Sequence, residues 1–137
     1  MKHIVSFSGG IGSWAAAKRV VDRHGPNDVI LGFTDTLVED ADLYRFLIEG
    51  ALNVVGGSMN DRLRQARDRA LDLPPPSPEK IDDRKQVLSE IRDDVRREIS
   101  QLRWLRDGRT PIEVFFDQRF LGTTRANHCS QHLKRRL

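Results

Sequence analysis

The sequence predicts an α/β fold, a parallel sheet of about three strands flanked by helices, on three observations. Short apolar runs alternate with segments of helical periodicity. The first such run passes into a helix through a glycine-rich turn. The charged middle of the chain carries narrow apolar stripes that read as a helical hairpin inserted into the core, at about residues 58–100.

Ile4 to Phe7 is a short apolar run and reads as the first, buried strand. Ser8, Gly9, Gly10, Gly12 and Ser13 form a turn, and Ser13 to Arg23 continues as an alanine-rich helix that stops near Gly25-Pro26. Val29 to Thr34 is a second apolar strand. Ala41 to Leu52 places Leu43, Phe46, Leu47 and Ala51 on one helical face. Strands alternating with helices imply βαβ units with right-handed crossovers. The hairpin follows. Met59, Leu63, Ala66, Ala70 and Leu73 recur at helical spacing, Pro74-Pro75-Pro76 and Pro78 break the helix, and Leu88, Ile91, Val95, Ile99 and Leu102 repeat the pattern. The arginines of this hairpin (Arg62, Arg64, Arg67, Arg69, Arg92, Arg96, Arg97) stand among acids, which favours a solvated face over an RNA-binding one. Leu102 to Leu105 reads as a third strand, ending at Asp107-Gly108. Thr110-Pro111-Ile112-Glu113 is a capping box that opens a helix bearing Val114, Phe115 and Phe120. Gly122 to Leu137 reads as a polar loop and a short basic helix.

At 137 residues the chain fits one domain. Its 38% hydrophobic and 31% charged residues fit a globular protein. The net charge of +3 comes with 18 arginines against 5 lysines, a balance that suits phosphates without demanding a nucleic-acid partner. A single cysteine, Cys129, excludes an internal disulfide and a multi-thiolate metal site. No signal peptide or membrane-length apolar run is evident, so no membrane partner and a cytoplasmic location are expected.

The turn between the first strand and helix carries the chemistry. Such a turn aims backbone N–H groups and the positive end of a helix at one point, where a phosphate or pyrophosphate binds. Glycine lets the ligand approach and permits positive φ, and Ser8 and Ser13 add hydroxyl donors. The plainer alternative is a tight turn in which Ser8 caps the helix. Gly10-Ile11-Gly12-Ser13-Trp14-Ala15 also fits the pattern of dinucleotide-binding, Rossmann-like folds, with Asp35 placed to hold a ribose.

A second pattern is more specific. Ser6-Phe-Ser-Gly-Gly-Ile-Gly-Ser13, Phe33-Thr-Asp-Thr-Leu-Val-Glu-Asp40 with the helix of Leu43 to Phe46, Asp107-Gly-Arg-Thr-Pro-Ile-Glu-Val-Phe-Phe116, and Arg125 with Cys129-Ser130 and Leu133-Lys134 recur together. In these the chain resembles the PP-loop ATP pyrophosphatases and phosphoadenosine-phosphosulfate (PAPS) reductases, the adenine nucleotide alpha hydrolase-like group, in a subgroup familiar from phage and bacterial genomes. The resemblance covers all but the hairpin. It implies that Ser8, Gly9, Gly10, Gly12 and Ser13 hold the phosphates of ATP or a related adenylyl nucleotide. It also implies that Phe33, Thr34 and Asp35 face the adenosine, and that Arg125 and Lys134 close over the phosphates as catalytic cations. Asp35 or Glu39 would then position Mg²⁺. The implied chemistry is ATP α–β cleavage with adenylyl transfer, or handling of a PAPS-like nucleotide.

The pattern departs from the family at Gly12, where an aspartate is common, and lacks the cysteine motifs of the sulfur-handling members. A nucleotide-binding or structural subunit without catalysis is therefore one alternative function, and a dinucleotide-binding oxidoreductase fragment is the other. Family members continue into further strands, so a truncated or minimal domain, or a sheet completed by another chain, is expected, with the first strand at an open edge. Self-association follows. His128, Cys129 and His132 lack a fourth ligand and are not expected to hold a metal. Trp14, Trp104 and Tyr44 are expected to pack, and Asp40 and Asp42 to serve a helix start.

Overall fold

The structure is a computed structural model that describes residues 1–119 and 133–134. Phe120, Arg125, His128, Cys129 and His132, and the expected C-terminal loop and helix apart from Leu133 and Lys134, lie outside the described residues.

Three parallel strands, β1 (His3–Ser6), β2 (Val29–Asp35) and β3 (Leu102–Arg106), form a sheet in the order β1-β2-β3. Helix α1 (Ile11–His24) connects β1 to β2. Helices α2 (Ala41–Val55), α3 (Asp61–Leu71) and α4 (Ile81–Glu98) together make the crossover from β2 to β3, and α5 (Pro111–Gln118) follows β3. The result is the expected Rossmann-like α/β architecture.

Three of the helices begin where the sequence supplies a side-chain cap. Asp40 accepts from the Asp42 amide at 2.9 Å at the start of α2, so this acid serves the helix as expected. Asn60 accepts from the Leu63 amide at 2.9 Å at the start of α3. At α5 both bonds of the capping box are present, Glu113 N–H to Thr110 Oγ1 at 3.3 Å and Thr110 N–H to a Glu113 carboxylate oxygen at 2.5 Å.

Burial alternates strictly along the strands. Val29, Leu31, Phe33 and Asp35 of β2, with Leu102 and Trp104 of β3, are buried beneath the helices. Residues of the opposite parity form a second face, on which Ile4, Ser6, Arg103 and Leu105 are exposed and Ile30, Gly32 and Thr34 half-buried.

The hairpin lies between β2 and β3 and shares the core of the sheet. Its helix α3 packs on both α2 and α4, while α4 reaches β3, so Leu88, Ile91 and Val95 belong to the main core. The α3 arginines behave as a solvated, charge-paired face. Arg69 bonds Asp94 at 2.7 Å and Glu90 at 3.1 Å, Arg64 bonds Asp61 at 2.6 Å, and Arg62 lies 3.6 Å from Glu98.

Candidate functional site

The chain leaves β1 at its carboxyl end, where the Phe7 amide still donates to Gly32 O at 2.8 Å and the Phe7 ring is buried. Ser8 to Gly10 then turn into α1. That helix starts at Ile11, two residues earlier than the sequence suggests, so Gly12 and Ser13 sit in its first turn. The loop is held by Ser13: its hydroxyl oxygen accepts from the Ser8 amide at 3.1 Å and from the Ser8 hydroxyl at 3.2 Å, and donates to Gly10 O at 2.9 Å. Ser8 does not cap α1. The N-cap is Gly10, which has no side chain to offer, so the first-turn amides keep their donors. Among the described residues the amides of Gly9, Gly10, Ile11, Gly12 and Ser13 meet no protein acceptor.

The glycines are not equivalent. Gly9 has φ +84°, and a Cβ there would lie 2.9 Å from Leu43 Cγ. Gly10 has ordinary extended geometry, and a Cβ there would lie 3.7 Å from Ser8 Oγ, an ordinary contact. A Cβ on Gly12 would meet nothing within 4 Å. Only Gly9 is required by backbone geometry and packing.

Two hollows flank the loop. One, of about 550 Å³, is lined by Gly9, Ile11, Leu43 and Phe46 with the carboxylates of Asp40 and Asp42. The other, of about 450 Å³, lies on the second sheet face and is lined by Ile4, Ser6, Phe7, Ser8, Gly32, Phe33, Thr34, Glu39 and Lys134. Electrostatics separates them. Two acids disfavour an anion in the first, while in the second the one carboxylate, Glu39, is balanced by the Lys134 ammonium and joined by three hydroxyls. The second hollow therefore joins the side chains of four residues singled out in the sequence, Ser8, Thr34, Glu39 and Lys134. Phe33 reaches it through its backbone alone: its ring is buried edge-on against Tyr44 and Trp104, so the expectation that Phe33 faces the adenosine is corrected.

Asp35 does not join them. Its side chain points to the helix-covered face and is 1% exposed. One carboxylate oxygen accepts from Tyr44 Oη at 2.5 Å and from the Leu37 amide at 2.8 Å, and the other accepts from Trp104 Nε1 at 3.0 Å. Burial pushes its carboxyl upward, and the hydrogen bonds from Tyr44, Leu37 and Trp104 oppose that rise. The expectation that Asp35 faces adenosine, a ribose or Mg²⁺ is corrected: this carboxylate ties β2, α2 and β3 together inside the core. Tyr44 and Trp104 pack as expected, their rings stacked with centroids 5.9 Å apart.

Glu39 remains as the acid of the groove. Its carboxylate accepts from Thr36 Oγ1 at 3.0 Å and stands 3.9 Å from Lys134 Nζ. One carboxylate with phosphate oxygens and water is a donor set that Mg²⁺ accepts, so Glu39 fits the ion and Asp35 does not. Among the described residues no group of three or more His, Cys, Asp or Glu side chains could hold a metal.

Sequence reasoning missed Arg84. It is 3% exposed on α4, and its guanidinium donates to Leu37 O at 2.7 Å, to Pro74 O at 2.8 Å and to Glu39 O. It thereby fixes the turn after β2 that delivers Glu39, in which Leu37 has φ +71°. The signal was present: Arg84 stands in the stripe Ile81, Arg84, Leu88, Ile91, Val95, where an apolar residue belongs.

Comparison with family models, with curated proteins and with solved structures finds no match. Among the described residues no helix is long and apolar enough to cross a membrane.

Proposed function

We propose that this chain is an adenine-nucleotide-binding domain of PP-loop type, which places the phosphates of ATP or a PAPS-like nucleotide at the β1–α1 loop. The observation that carries this reading is the convergence on one groove of Ser8 from the loop, Thr34 from the end of β2, Glu39 from the following turn and Lys134. Amides from Gly9 to Ser13, without a partner among the described residues, stand at the adjoining helix start. Parallel sheets bind ligands outside the carboxyl ends of their strands, and Ser6, Ser8 and Thr34 stand there.

In this reading the amides and hydroxyls position the phosphates and Lys134 neutralises charge that grows on a leaving pyrophosphate. Glu39, with phosphate oxygens and water, would hold Mg²⁺, which when bound would withdraw charge from the phosphates. The reaction class is cleavage between the α- and β-phosphates with adenylyl transfer. Residues Gly12 and Asp35 supply no acid to the groove, an arrangement that favours binding without turnover as the second reading. Both sheet edges, β1 and β3, lack a partner strand among the described residues, which supports self-association or a partner chain completing the sheet.

Pyrophosphate release from ATP with Mg²⁺ separates the two readings. Turnover that Lys134→Ala lowers at least about tenfold fits the loss of one charge-stabilising donor. Binding without release leaves the subunit reading, and stabilisation by NAD alone contradicts both.

A further inference from the structure

The arginines of α4 and β3 differ from those of α3. Arg96 and Arg97 in the last turn of α4, and Arg103 on β3, are exposed and form no hydrogen bond or ion pair among the described residues. They border, with Asp93, a hollow of about 460 Å³ at the outer edge of the sheet. Asp93 is the one acid of this lining among the described residues, and it also stands 4.0 Å from a fourth arginine, Arg92. Arg92 is itself occupied, donating to Trp104 O at 2.8 Å, and Arg106 donates to Ser89 Oγ at 3.2 Å. Burial chiefly, and to a lesser degree the charges of Arg96 and Arg106, hold the Arg92 guanidinium below its usual value.

Two plainer roles account for part of this. Cations suit the negative end of α4, and charge along β3 blunts an edge strand. The short connection from α4 to β3, Ile99 to Gln101, brings the helix end and the edge strand to one hollow, where three arginines face one acid. We propose that Arg96, Arg97 and Arg103 form a docking surface for the phosphate backbone of a single-stranded nucleic acid. The guanidinium fork matches phosphate oxygens two at a time. Among the described residues no apolar side chain borders the hollow, and protein partners anchor through buried aromatic or aliphatic side chains. Backbone binding needs charge alone. An acidic peptide is the outcome the test must exclude.

The experiment titrates the full chain with a fluorescent single-stranded oligonucleotide of mixed sequence and, in parallel, with a polyglutamate peptide. The triple variant Arg96→Gln, Arg97→Gln, Arg103→Gln should bind the oligonucleotide at least about tenfold more weakly. Its plot of log K against log salt should flatten by roughly 2, the release expected for three contacts to a single strand. Arg62→Gln with Arg64→Gln, on the paired α3 face, should bind as the unaltered chain does. Ser8→Ala should also leave oligonucleotide binding intact, so failure of the nucleotide reading and failure of this one are separable. Unchanged oligonucleotide affinity in the triple variant overturns the proposal, as does tighter binding of polyglutamate. Increased self-association with no loss of oligonucleotide affinity overturns it too and leaves the arginines as edge guards.

Discussion

Gly9 and Gly12 lie three positions apart and answer to different demands. At Gly9 the backbone is left-handed and Leu43 fills the space a Cβ would take, so Gly9→Ala should destabilise by about 1–3 kcal/mol. Gly12 stands in the first turn of α1 with open space around it, so Gly12→Ala should be neutral or stabilise by up to about 1 kcal/mol. Urea denaturation of the two variants checks the contrast, and equal effects would contradict the loop geometry. Asp35 carries a similar lesson about position. In the run Val29 to Asp35 every residue could belong to either face of a buried strand, and one step decides whether Thr34 or Asp35 meets the groove. The parity is set by Leu31 and Phe33 packing under the helices, a tertiary fact that the local sequence does not carry.

The turn from Asp35 to Asp40 owes its shape to a different element. Arg84 reaches from α4 to the carbonyls of Leu37 and Glu39 and to Pro74 at the head of the hairpin loop. Arg84→Met keeps much of the side-chain volume and leaves those buried carbonyls without a donor. It should cost about 2–3 kcal/mol and weaken nucleotide binding, because Glu39 and Thr36 lose their fixed backbone. Denaturation midpoints at constant slope would measure the first effect, and a loss below about 0.5 kcal/mol, the range of ordinary surface changes, would contradict it. The hairpin is thus more than an ornament on the α/β core. Periodicity made its two helices readable; the long-range partner of one arginine was not, since nothing local to α4 points to residue 37.

For the molecule as a whole, Asp35 makes stability depend on pH in a definite direction. The folded chain raises this carboxyl above its ordinary value near 4, so folding binds its proton more tightly than the unfolded chain does. The contribution is complete below the ordinary value and is lost as pH rises through the raised one. Relative to Asp35→Asn, the unaltered chain should therefore lose stability between acid and neutral pH. A difference that is flat, or that grows in the opposite sense, would show that the hydrogen bonds outweigh burial. The succession of strands and helices, the capping box of α5 and the apolar stripes could all be read from local pattern, because each is set within a few residues. The floor of the groove, which is the second sheet face, could not, because it depends on which face of the sheet α1 to α4 pack against.

The account rests on adenine nucleotide meeting the loop at the exit of β1, and calorimetric titration with Mg·ATP tests this most directly. The unaltered chain should bind, and Ser8→Ala together with Ser13→Ala should weaken binding at least about tenfold, as expected when several hydrogen bonds to a charged ligand are lost. Equal affinity in the two proteins, or no heat of binding in either, would contradict it.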